Sequence, residues 1–114
     1  MAVHKLNKSE WGPFCDALSK TLENAEVEIA VESLTLGAQV EADWLPLLGI
    51  TYDPKDDLIE IALEGLDHMI RNPRELLADF GDSGIATLAI TSDDAVTQLI
   101  RFREPLRVAA PAAG

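Results

Sequence analysis

The apolar positions Trp11, Phe14, Cys15, Leu18 and Leu22 fall at i, i+3, i+4, i+7 and i+11, the spacing of one helix face. They predict a single amphipathic helix over residues 9–23. Ser9 is its N-cap, and Pro13 falls in the first turn, where a missing N–H breaks no intrahelical bond. Asn24 ends it. From Ala25 the period drops to two: Val27, Ile29 and Val31 alternate with Glu26, Glu28, Ala30 and Glu32, as in a half-buried strand. Alternation resumes at Leu34, Leu36, Ala38, Val40, Ala42 and Trp44. Leu45-Pro46 predicts a bend or break, because proline cannot donate to a strand ladder. Leu48, Ile50 and Tyr52 restore the even register, Asp53 to Asp57 has turn chemistry, and Ile59, Ile61 and Leu63 return as the second strand of a hairpin.

Gly65 opens a stretch of uncertain period. Leu66, Met69 and Ile70 fit one short helical turn capped by Asp67, and Pro73 restricts Asn72 to extended backbone. Residues 74–80 contain helix-favouring Glu75, Leu76, Leu77 and Ala78, but their place after several strand-like segments predicts a short strand. Ala86, Leu88 and Ile90, a turn at Ser92-Asp93-Asp94, and Val96, Ile100 and Phe102 form a last hairpin. Together these elements predict an α+β fold, an N-terminal helix packed on a bent antiparallel sheet or small open barrel of about six strands. A flat sheet with two helices on one face is the alternative if residues 66–79 are helical. A single domain is expected over 1–108 and a flexible tail over 109–114, which has neither charge nor period.

The stretch VEADWLPLLGITYDPKDD, from Val40 to Asp57, and GLDHMIRNP, from Gly65 to Pro73, resemble the bacterial domain-of-unknown-function family DUF5335, a group of short uncharacterised proteins. The resemblance covers most of the chain and implies no activity, cofactor or catalytic residue. In the family pattern a β-rich, IYV-like stretch follows the proline, and Leu76-Leu77-Ala78 departs from it.

Charge changes the picture more than composition does. The chain of 114 residues is 47% hydrophobic and 25% charged, ordinary for a globular domain, but its net charge is −11. Residues 9–67 hold fourteen acids against Lys20 and Lys55, whereas Arg71, Arg74, Arg101, Arg103 and Arg107 all lie later. This field repels phosphate backbones and anionic membranes, so neither nucleic acid nor membrane is an expected partner. No apolar run reaches the ~18 residues of a span, and the N-terminus lacks a signal peptide's apolar stretch, which makes a cytoplasmic location the default.

Candidate chemistry is sparse. His68 beside Asp67 could act as base or ligand hook, although adjacent residues usually point apart and Asp67 reads more simply as a cap. Arg71 and Arg74 flank Pro73 and could clamp an anion through their planar forks. Trp44 and Tyr52 could line a pocket or an oligomer contact, with core packing the default. The carboxylate pairs Glu26/Glu28 and Glu41/Asp43 read as solvated strand faces, Cys15 as a core residue, and the acids from Asp53 to Asp57 lack the calcium-loop pattern. No catalytic residue, cofactor or metal is expected. The favoured function is a non-enzymatic binding or protein-interaction module. The alternative is a small-molecule anion-binding sensor or enzyme using His68, Asp67, Arg71 and Arg74. Self-association as a two-fold homodimer, through a sheet edge or the region of Trp44 and Tyr52, is also expected.

Overall fold

A computed structural model describes residues 2–33 and 37–108. The elements in chain order are β1 (Ala2–Lys5), α1 (Lys8–Ser19), β2 (Glu26–Ser33), β3 (Gly37–Asp53), β4 (Leu58–Leu63), β5 (Leu66–Arg71), β6 (Pro73–Gly81), β7 (Gly84–Ser92) and β8 (Thr97–Leu106). All pairings are antiparallel, in one open sheet ordered β1-β6-β7-β8-β2-β3-β4-β5.

The expected α+β fold with about six strands is therefore overturned. Sheet dominates, the strands number eight among the described residues, and the helix spans only twelve residues. One missed strand, β1, is four residues long, too short to carry a period. The other, β5, is the segment read as a helical turn. Its Leu66, Met69 and Ile70 satisfy i, i+3, i+4, but the chain reverses at Gly65 (φ +80°) and pairs with β4 from Leu63↔Leu66 to Leu58↔Arg71. Residues 74–80 belong to β6, a strand, as their position predicts. Leu34, Leu36 and the expected tail 109–114 lie outside the described residues.

The bend of the sheet is written into β3. Its first half pairs with β2 and its second half with β4, and the handover falls at Leu45 to Leu47. Pro46 sits there, so its missing N–H breaks no ladder bond. Its carbonyl accepts from the Glu64 N–H at 3.0 Å, and the Leu47 N–H donates to the Ala25 carbonyl at 2.8 Å. Just before, Trp44 takes φ +51°, a left-handed conformation that costs a bulky residue about 1–3 kcal/mol. Of the bend or break expected at Leu45-Pro46, the structure has the bend, within one continuous strand. Register shifts at Ile29/Ala30 and Leu47/Gly49 reset which side chains face inward. Ala42, Leu47 and Ile50 are buried, while Val40 (59% exposed) and Leu48 (64%) face water.

The helix covers the inner face. Trp11, Phe14, Cys15 and Leu18 join Val27, Ile29, Ile50, Ile59, Ile61, Ile70, Leu76, Leu88, Ile90 and Ile100 in one core. The helix is capped two residues earlier than expected: Asn7 is the N-cap, and Glu10 Oε1 accepts from the Asn7 N–H at 2.8 Å. Pro13 consequently lies mid-helix. At the other end Ser19 Oγ accepts from the Ile50 N–H (3.0 Å) and donates to the Ile50 carbonyl (2.9 Å), satisfying a stretch of β3 that would otherwise lack partners. Asn72 alone links β5 to β6. It is left-handed (φ +51°) and not extended as Pro73 suggested, held by its N–H to the Asp57 carbonyl (2.9 Å) and its own carbonyl to the Asp93 N–H (3.1 Å).

Two substitutions test this packing. Phe14→Ala should cost about 3–5 kcal/mol in urea denaturation, since the ring is only 5% exposed. Gly84→Ala should lower stability by about 1–3 kcal/mol in the same assay, because Gly84 has φ +123° and an added Cβ would lie 2.4 Å from the Leu106 carbonyl oxygen.

Candidate functional site

Strand parity separates the residues that looked like a cluster in sequence. On β5, His68 and Ile70 turn toward the interior, while Asp67, Met69 and Arg71 are exposed on the other side. His68 Nε2 is hydrogen-bonded to Oε1 of the buried Gln98 on β8, so the last strand of the sheet is tied across the interior to a central one. Asp67 sits opposite Ala62 and Arg71 opposite Leu58. Arg74, exposed on β6, extends its field to Asp57. The structure brings Arg74 toward Asp57 and leaves Asp67 apart from His68.

Tyr52 belongs to a cluster that sequence reading missed. Its ring meets Trp11 edge to face, with centroids 5.2 Å apart. The Tyr52 hydroxyl donates to Asp57 Oδ1 at 3.0 Å, and Lys8 Nζ lies 3.1 Å from the same oxygen, 5.5 Å above the Trp11 ring. Desolvation alone would raise the Asp57 carboxyl, but hydrogen bonds from Lys8 and Tyr52 and the charges of Lys8 and Arg74 outweigh it, so its pKa lies below the ordinary value. Tyr52 is pushed up, first by desolvation and then by its bond to Asp57; Lys8 is raised chiefly by its bond to Asp57. A carboxylate so held is a poor general base near neutrality. The cluster pins the start of α1 to the β3–β4 turn.

Trp44 is engaged elsewhere. The Arg103 guanidinium lies 5.8 Å from its ring and reaches Glu26 at 3.0 Å. Arg103 and Glu26 also border a cleft of about 590 Å³ that includes Asn24, Glu104 and Arg107 but none of His68, Arg71 or Arg74. A second concavity, about 260 Å³, lies on the outer face of β1, β6, β7 and β8. Val3, Leu77, Ala89, Leu99, Asp79, Thr87 and Arg101 line it. Asp79 Oδ1 is shielded there without a hydrogen-bond partner among the described residues, and an acceptor left unpaired in that way is destabilising. Among the described residues, no three His, Cys, Asp or Glu side chains group as a metal site, and no helix is long and apolar enough to cross a membrane. Burial, with the Asp16 charge adding to it, pushes the Cys15 thiol up to about 12.

The linkage at Asp57 sets a pH dependence. A depressed carboxylate stabilises the fold fully above its unfolded-state value of 3.8, and that contribution is lost as pH falls through the folded value. Urea midpoints should therefore show wild type more stable than Asp57→Asn at pH 7, with the gap narrowing below pH 3.8. Cys15 should resist a disulfide reagent at pH 8 in the native protein and label only at the rate of unfolding, as absorbance of the released thiolate would show.

Comparison with known proteins adds kinship without chemistry. A model of the Family of unknown function (DUF5335) matches residues 2–111. An "Uncharacterized protein" of Aquifex aeolicus (strain VF5) is 36% identical over 104 residues, covering 90% of this chain and 94% of the relative. No solved structure matches. A match over nearly the whole length, together with a relative this similar from end to end, establishes that the chain belongs to the DUF5335 family.

Proposed function

We propose that this protein is a non-enzymatic protein-interaction module that docks partners on the outward face of β1, β6, β7 and β8. One observation carries the reading. Leu77, Ala89 and Leu99 stand in cross-strand register on that face, with Val3 beside them 66% exposed, and α1 packs on the opposite side of the sheet. Apolar side chains aligned across three strands form a continuous surface, which partners cover more readily than scattered single residues. The separation of His68 from Asp67, with Arg71 and Arg74 exposed on different strands, supports the same reading over a sensor or enzyme built from those four residues.

A photo-crosslinking side chain at position 77, with one at Lys55 in the exposed β3–β4 turn as control, tests this in the native host. Discrete protein adducts from position 77 that vanish when Leu99→Asp is added to the folded protein are expected. Absence of adducts would overturn the reading. So would titration with inorganic phosphate or citrate that shifts the amide resonances of His68, Arg71 and Arg74 and is abolished by Arg71→Ala.

A further inference from the structure

We infer that the partner seated on this face presents a basic side chain set among apolar ones, and that Asp79 receives its cationic head. This rests on the interaction reading above and specifies the partner's chemistry.

Registered pairing places Val3, Asp79, Thr87, Arg101 and Glu28 in one row across five strands, beside the row Lys5, Leu77, Ala89, Leu99 and Ala30. Every cation of these rows is already taken. Lys5 reaches Glu75 at 3.5 Å, and Arg101 reaches Glu28 at 3.8 Å. Thr87 stands between Asp79 and Arg101, so their backbones are two strand spacings, roughly 10 Å, apart. Asp79 is thus left without a donor among the described residues, with one oxygen covered by the protein itself and the half-exposed carboxylate standing at the edge of an apolar trough. A side chain that lays an aliphatic stem on Leu77, Ala89 and Leu99 and ends in N–H donors fits both features, and arginine and lysine are the residues built that way. At about 260 Å³ the trough lies below the usual size of a small-molecule site and suits a side chain entering from another protein. The net charge of −11 favours a cationic partner at long range and disfavours a second copy of this chain.

The test uses two synthetic dodecapeptides, one alternating arginine with valine and threonine, the other carrying glutamate in place of arginine. They are titrated into the isotopically labelled full chain and followed by amide chemical shifts. The expected result is saturable shifts at residues 77–79, 87–89 and 99–101 with the arginine peptide and none with the glutamate peptide. Asp79→Asn should weaken binding at least about tenfold while its urea midpoint shows it folded. Thr87→Lys places a cation beside Asp79, so it should abolish binding even if the asparagine variant does not fold. Equal binding of both peptides, shifts spread over the acidic surface and insensitive to both substitutions, or burial of this face in a dimer of the free protein would each overturn the inference. Position 77 adducts alongside a peptide titration without arginine preference would leave the interaction reading standing and remove only this assignment of partner chemistry.

Discussion

The structure depends on the handover of β3 from one partner strand to another. A seventeen-residue strand paired along its whole length with the same neighbours would give a long sheet that a twelve-residue helix could not cover. Here the ladder to β2 ends at Pro46, the ladder to β4 begins at Leu47, and the strand turns between them. The left-handed Trp44 is a local cost of that turn. It is offset by the bonds made at the junction, by the Arg103 guanidinium over the Trp44 ring, and by a core that the bend folds around the helix.

The remaining features follow from that geometry. Bending places Ile50 where Ser19 can satisfy both of its backbone groups, and it carries the β3–β4 turn to the start of α1, where Lys8, Tyr52 and Asp57 close the contact. It also leaves β1, β6, β7 and β8 with one face on the core and the other turned away from the helix. Coiling brings β5 near β6 even though they stand far apart in strand order, and a single residue, Asn72, makes the connection.

How much of this was legible in sequence depended on the range of the signal. The helix face from Trp11 to Leu18 and the hairpins around Asp53 to Asp57 and Ser92 to Asp94 are local patterns, and local periodicity describes them well. The helix start was misplaced because Ser9 and Asn7 are both good caps, yet the Asn7 to Glu10 capping-box spacing was present to decide between them. β5 was lost because six residues satisfy a helical turn and a strand equally, and pairing with β4 decided the matter. No sequence rule anticipates a left-handed tryptophan, and nothing links Lys8 to Asp57 across 48 intervening residues. Asp79 becomes visible only once β6 is known to be a strand, with Leu76 and Ala78 inward and Leu77 and Asp79 outward.

Amide hydrogen exchange at the handover gives the most direct check. The Leu47 N–H, bonded to Ala25, and the Glu64 N–H, bonded to Pro46, should exchange as slowly as the Ile50 N–H bonded to Ser19, because the two junction amides open only when β3 parts from its neighbours at the handover. Fast exchange at Leu47 and Glu64 beside a protected Ile50 would mean that β3 is broken at Pro46 and that the two halves of the sheet are joined by a loop.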